Sequence, residues 1–404
     1  MTDSELRLAP RLGRVKSSAS QRAAKRARDL RAAGRDIISL SAGEPDFPTP
    51  AHVIEAATAA MRAGETKYTD RDGSPEVKAA IAEKFRRDNG LDYAPGQIIA
   101  SSGAKQVIFN ALMATLGEGD EVIVPAPHWV SYPDMVRLAG GEPVVVPCAQ
   151  NNGFRLRAED LAAAITPATR WFVYNGPNNP TGAVYDAGEL TALAEVLADH
   201  PHIWVIADDI YEHFLYDGRR FATMAGVSPE LAGRTLTVNG VSKAYAMTGW
   251  RLGFGGGPAA LITAMAKVQG QSTACPSSIS QAAAVAALTG PQDIVARQTA
   301  IMQGRRDLIC QLLNGCPGLS CQPPQGAMYV FCDCAGLLGK RAADGKAIGD
   351  DGDVTEYLLD AAGVAVVSGA AYGLSPYFRV SFALDADELR AAGQRIHQAC
   401  SELQ

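Results

Sequence analysis

A chain of 404 residues can bury a large core in one big domain and still build a smaller companion. With 47% apolar and 20% charged residues and a net charge of −6, it reads as an ordinary globular protein, with no reason to expect nucleic acid or an anionic membrane as partner. No apolar run approaches the roughly 20 residues a membrane helix needs, and no apolar stretch of a secretory signal follows the charged N-terminus.

Taken in chain order, Arg7 to Arg35 is basic but interleaved with Ala and Leu at helical spacing, the pattern of a solvated helix face. A helix is predicted over Ser20–Ala33, with Ser20 as N-cap and Gly34 just past its end. An apolar stretch then leads into Gly103-Ala104-Lys105, with a helix expected from near Gln106. Near-continuous apolar runs follow at Glu121–Pro125, Pro143–Val146, Arg170–Tyr174, Ile203–Ala207, Thr235–Val238 and Leu252–Gly255. Such runs suit strands covered on both faces, and helical segments such as Leu190–Ala198 lie between them. The alternation predicts an α/β fold with a mostly parallel sheet covered by helices. Beyond about residue 295 come helices (Val295–Leu313, Val354–Ala362, Asp387–Ala399), strand-like pieces (Ala327–Phe331, Val364–Val367, Phe378–Phe382) and a Gly-, Asp- and Lys-rich loop, Gly336–Asp353. The expected division is a large domain, 48–295, and a smaller α+β domain from 1–47 and 296–404. Eight cysteines without a CxxC pair read as reduced packing residues of a cytoplasmic protein. Six scattered histidines give no metal site.

Three of the predicted strands run into polar residues: Asn175-Gly-Pro-Asn-Asn-Pro-Thr-Gly182, Asp208-Asp209-Ile210-Tyr211, and Asn239-Gly-Val-Ser-Lys243. In a parallel sheet these ends share one edge, where α/β proteins bind ligands. Singly, each has a bland explanation in a turn, a helix cap or a solvated lysine. Together they bring an amide, a carboxylate and an amine to one place.

Ser41-Ala-Gly-Glu-Pro-Asp-Phe47, Lys67-Tyr68, Gly103-Ala-Lys-Gln106, Trp129-Val-Ser-Tyr-Pro133, Asn178-Asn-Pro-Thr-Gly182, Asp208-Asp-Ile-Tyr211, Ser242-Lys-Ala-Tyr-Ala-Met-Thr-Gly-Trp-Arg251 and Phe378-Arg-Val-Ser381 occur in one order along nearly the whole chain. In this the chain resembles class I aminotransferases of the fold-type I pyridoxal-phosphate superfamily, and most of all the bacterial aspartate and prephenate aminotransferases of the Iβ-like subgroup.

The resemblance implies a role for each residue. Lys243 would hold the aldehyde of pyridoxal 5′-phosphate covalently and later move a proton at the substrate Cα, which calls for an amine with a lowered pKa. Asp208 would pair with the ring nitrogen, Tyr211 and Asn179 with the ring O3′, and Trp129 would stack on the ring. Gly103, Ala104 and Lys105 at a helix start, with Arg251, would hold the phosphate. Tyr68 would reach the phosphate in a neighbouring subunit, which implies a homodimer. Arg379 would clamp the substrate α-carboxylate and Gly43 would bring backbone to it. Lys105, with Lys16 nearby, would receive a second carboxylate, implying an acidic amino acid and a 2-oxo acid as substrates. Cis peptide bonds are expected before Pro127 and Pro180.

The chain departs from the family pattern at several points. Gly240 stands where a phosphate-binding Ser is usual. Ser17, Ser20, His128 and Ala104 replace common pocket residues, which keeps aromatic or neutral donors open. A carbon–sulfur lyase of the same fold is a further alternative. A DNA-binding regulator is set aside, since only about 40 residues precede Gly43. Gly253-Phe-Gly-Gly-Gly257 follows the lysine motif and ends in Pro258, which argues against a dinucleotide fingerprint.

Overall fold

The structure, a computed structural model, describes residues 7–15 and 19–404. A short β1 (Ile38–Ser39) precedes the central sheet. That sheet is built from β2 (Ile98–Ser101), β3 (Glu121–Ala126), β4 (Glu142–Pro147), β5 (Thr169–Asn175), β6 (Trp204–Asp208), β7 (Thr235–Gly240) and β8 (Gly253–Gly256). Their order is β2-β8-β7-β6-β5-β3-β4, and only β8 runs against its neighbours.

The apolar runs have a direct physical reading. Trp171 and Val173 of β5, Ile206 of β6 and Val122 and Val124 of β3 feed one core beneath the helices Ala104–Thr115 and Ala259–Ser272. Their sequence neighbours Phe172, Tyr174, Val205, Ala207 and Ile123 feed a core on the opposite face with the helix Ala187–Ala198. Alternate residues thus bury on alternate faces, and both faces are covered. The glycines of β8 are packing positions. A Cβ on Gly253 would stand 2.0 Å from the Ala104 nitrogen, and one on Gly256 would run into the Tyr93 ring.

A second assembly forms around β9 (Tyr329–Asp333), β10 (Val364–Ala365), β11 (Val367–Ser368) and β12 (Tyr377–Ser381). β12 lies between β11 and β9, antiparallel to both, while β10 pairs with β1 in parallel. The helices Asp293–Asn314 and Ala386–Glu402 pack over it through Met302, Ile309, Leu313, Leu389 and Ile396.

Four expectations are corrected. The N-terminal helix spans Ala19–Ala32, so Ser20 lies inside its first turn and does not cap it. Val364–Val367 is two strands in two different sheets. The predicted loop Gly336–Asp353 ends early, because the Asp350 side chain accepts from the Asp353 N–H and starts a helix, Asp351–Ala361; Ile348 within the loop is buried. The bond before Pro127 is cis, but that before Pro180 is not; the others are Gly176–Pro177 and Ser375–Pro376. Around Pro180 the turn is closed by Gly182 N–H on the Asn178 carbonyl (2.8 Å) and by Thr181 on the Asn178 side chain. Among the described residues no helix is long and apolar enough to cross a membrane, and all eight cysteines are free.

Candidate active site

β5, β6 and β7 end side by side, with Asn175 opposite Asp208 and Asp208 opposite Val238. Because β8 is reversed, it starts at this same edge, two residues after Arg251. A cavity of about 450 Å³ opens there, walled by these strand ends, the 41–44 segment, the N-terminal helix and β12.

Lys243 stands three residues past β7. The Asn239 side chain locks that turn, accepting from Gly240 N–H and donating to the Asp209 carbonyl. The Lys243 amine donates to the Gly43 carbonyl at 2.6 Å. Burial, aided by Arg379 and Arg251 and opposed by Glu44 and Asp208, pushes it down to about 8. Asp208 is buried; its Oδ2 accepts from the Tyr132 hydroxyl (2.5 Å) and its Oδ1 from Ile210 N–H (3.4 Å). Burial pushes its carboxyl up to about 6, against the Tyr132 and Ile210 hydrogen bonds and the Lys243 charge. Asp209 takes no part in the cavity: its side chain accepts from Thr223 (2.6 Å).

Arg379 is no exposed strand arginine; 3% of it is accessible. Its Nη1 donates to Asn179 Oδ1 (3.0 Å) and its Nη2 to the Ser41 carbonyl (2.6 Å), and it lies against the rings of Tyr329 and Tyr372. Its Nε is buried without a partner. Asn179 is itself held by Asn175, which accepts from its N–H and donates to the Asp208 carbonyl.

At the other end, Gly103 turns at φ +95° into the helix Ala104–Thr115. A Cβ there would stand 2.4 Å from the Arg251 guanidinium, so glycine lets the helix start and the arginine meet. Ser242 lines the cavity beside Lys243, whereas Gly240 is the last residue of β7. Lys105 lies over the Trp129 ring at 4.7 Å, its amine pushed down by burial and then by Arg251.

The cavity therefore gathers Gly43, Ala104, Lys105, Trp129, Asn179 and Asp208 with Tyr211, Lys243, Arg251 and Arg379. Tyr68 is 91% exposed and does not line it. Lys16 and Ser17 lie outside the described residues. His128 does not line this cavity. It sits buried behind Tyr132, its ring nitrogen on the Trp129 carbonyl, because its backbone N–H is tied to Tyr372. Reading the sequence missed Tyr132 and Tyr329, which look like core aromatics. It also missed Gln21, Ala24 and Arg28, which line the cavity from one face of the N-terminal helix at spacings of three and four. That spacing is the signal that could have found them.

Residues 35–396 match the family model for aminotransferases of class I and II. An aspartate aminotransferase of Rhizobium meliloti (strain 1021) is 56% identical, over 94% of this chain and 92% of its own. The chain belongs to the class I and II aminotransferases. An aspartate/prephenate aminotransferase of Cereibacter sphaeroides is 53% identical over 98% of this chain and 99% of its own. The crystal structure of a Rhizobium meliloti aspartate aminotransferase matches with a TM-score of 0.96 and 54% identity, over 99% of this chain and all of the other. That of the Thermus thermophilus enzyme with maleate matches with a TM-score of 0.90 and 42% identity, covering 98% and 100%. The fold is thus the α/β fold of these enzymes.

Aminotransferases of this family work with pyridoxal 5′-phosphate, and the residues present fit it. Asp208 is the clearest sign. An acid whose folded pKa lies above its unfolded value makes the folded state less stable as pH rises from about 4 to about 6. For Asp208 the cost at neutral pH is about 3 kcal/mol. A cation against the carboxylate, such as a protonated ring nitrogen, removes that cost. At the opposite end, Arg251 and the start of a 12-residue helix offer positive charge to a phosphate.

Proposed function

We propose that this aminotransferase takes its amino group from an acidic amino acid, aspartate above all, and exchanges it with 2-oxoglutarate or oxaloacetate. The observation that carries the reading is the placement of two cations in one cavity: Arg379 with a buried, unpartnered Nε, and Lys105 over Trp129 with no ion pair among the described residues. A molecule with two carboxylates satisfies both: the buried Arg379 is costly without an anion, and the more exposed Lys105 offers its amine at the other side of the cavity. The names of the relatives, and maleate, a dicarboxylate, in the Thermus thermophilus structure, support the same reading. The aspartate/prephenate name of another relative makes prephenate a second acceptor to assay.

When bound, pyridoxal phosphate supplies an aldehyde that condenses with amines and a cationic ring that draws electrons from the Cα–H bond. The chain does the rest. Lys243, with its amine near 8, serves as attachment point and then as the base that moves the proton at Cα. Asp208, oriented by Tyr132, would hold the ring nitrogen protonated. Tyr211 and Asn179 would pair with the ring oxygen, and Trp129 would stack on the ring. Gly103, Ala104 and Arg251 would hold the phosphate, and Ser242 lines the cavity near them. Arg379 fixes the α-carboxylate, and Gly43 lines its approach.

The test is kinetic. Lys105→Ala should lower kcat/KM for aspartate about 10²-fold while hardly changing that for alanine or phenylalanine. A wild type that turns over aromatic donors and ignores aspartate would defeat the reading.

We further propose a homodimer whose two sites each borrow Tyr68 from the partner. Tyr68 lies 91% exposed on its own chain, and Ile54 and Met61 leave an apolar helix face open nearby in sequence. Light scattering at assay concentration should give twice the chain mass, and an active monomer would rule the dimer out. The division into 48–295 and 1–47 with 296–404 is kept as a proposal, supported by the core around β9 and β12 that draws on Ile38, Leu40 and residues 302–403, with Tyr211, Phe214 and Tyr216 joining it from the larger part. Free, mostly buried thiols support a cytoplasmic location.

A further inference from the structure

We propose that Tyr329 is a positioning residue that ties the carboxylate fork to the ring site by fixing the direction in which the Tyr211 hydroxyl donates. The proposal rests on the reading of Tyr211 and Arg379 given above and deepens it. Tyr329 opens β9 directly opposite Ser381, so Arg379 is its diagonal neighbour across the strand pair. Its ring lies 4.3 Å from the Arg379 guanidinium carbon. Its hydroxyl is 2.7 Å from that of Tyr211, with the two rings nearly perpendicular at 82°. From the third side, a Cβ on Gly43 would stand 2.4 Å from the same hydroxyl oxygen. Tyr329 is thus wedged between the carbonyl-bearing residue that holds Lys243, the fork and the ring tyrosine.

A phenol has one hydrogen to give. The pair alone fits either direction, since both hydroxyls are buried, both line the cavity and each has only the other as partner among the described hydrogen bonds. The reading of Tyr211 as donor to the ring oxygen decides it: with the Tyr211 hydrogen given to that oxygen, Tyr329 donates to Tyr211. A donor whose own oxygen accepts a hydrogen bond is a stronger donor. The ring that carries this hydroxyl is also the one that lies against the Arg379 guanidinium.

The experiment uses the cofactor-loaded enzyme and reads two quantities: the pH midpoint of its visible absorbance, and KM for the amino donor. A donor to O3′ favours the deprotonated form, so losing it raises the midpoint. Tyr329→Phe keeps the ring under Arg379 and removes the hydroxyl. It should raise the midpoint by about half a pH unit and leave KM within about twofold. Tyr329→Leu removes both and should raise KM about tenfold as well. Gly43→Ala, which pushes the hydroxyl aside while leaving residue 329 a tyrosine, should move the midpoint in the same direction. Tyr211→Phe, run in parallel, should move it further than any of these. An unmoved midpoint in Tyr211→Phe overturns the reading of Tyr211 and the proposal with it. A moved midpoint there, with an unmoved one in Tyr329→Phe, overturns the proposal alone, as does a Phe variant whose KM rises as far as that of Leu.

Discussion

Lys243→Ala should lose at least about 10⁴-fold in kcat and lose covalent attachment of pyridoxal phosphate, because one amine serves both as nucleophile and as base. Borohydride reduction followed by peptide mass analysis should find the cofactor mass on the peptide carrying residue 243 in the wild type and nowhere in the variant. The variant should still bind the cofactor without a covalent bond, since Asp208, Arg251 and the helix start at Ala104 are untouched. The neutral amine is the nucleophile, and burial brings Lys243 down to about 8. The rate of attachment to cofactor-free enzyme should therefore rise with pH through about 8 and level off above it. A rate still climbing toward 10 would mean an ordinary exposed lysine. A variant retaining activity within tenfold would remove Lys243 from the chemistry.

The second large effect separates two adjacent carboxylates. Asp208→Asn should lower kcat by about 10³-fold or more, because an amide cannot keep the ring nitrogen charged. Asp209→Asn should act on stability, since that side chain meets Thr223 on the far side of the strand end. The cofactor-free proteins give an independent check. Wild type should lose stability relative to Asp208→Asn as pH rises from about 4 to about 6, the window in which the buried Asp208 ionises later than it does unfolded. Melting temperatures of the two proteins at pH 4 and pH 7 measure this. Equal kinetic loss at both positions would mean that the wrong carboxylate was chosen.

The strands and the polar groups at their ends were legible because burial on both faces leaves unbroken apolar runs, and the break in each run is where Asn175, Asp208 and Asn239 begin. Strand direction was not legible. Leu252–Gly255 reads like its neighbours, and only the register of Gly253 opposite Gly240 reveals it as antiparallel. Tyr132 and Tyr329 stayed hidden because a tyrosine in an apolar run looks like core until its hydroxyl is seen to reach Asp208 or Tyr211. The prolines were read from the wrong level. Which X–Pro bond turns cis depends on the tertiary setting, and here Pro177 takes the position expected of Pro180. Arg28 was discounted with its basic helix, since charge alone does not say which face meets a cavity.

The reversal of β8 has a consequence for how the enzyme could be altered. The chain leaves the sheet after Gly240, carries Lys243 and Arg251, and re-enters at Gly253 directly opposite its point of departure. Its two ends face each other on neighbouring strands, so the gap it must span is fixed, and Arg251 within it takes a left-handed backbone at φ +55°. A residue inserted between Lys243 and Arg251 could not be absorbed by sliding either strand, because β8 is also locked to β2. Deletions and insertions should be tolerated at the exposed loop tip 343–347 and refused in this excursion, which makes it the segment to transplant whole when grafting this chemistry onto another scaffold.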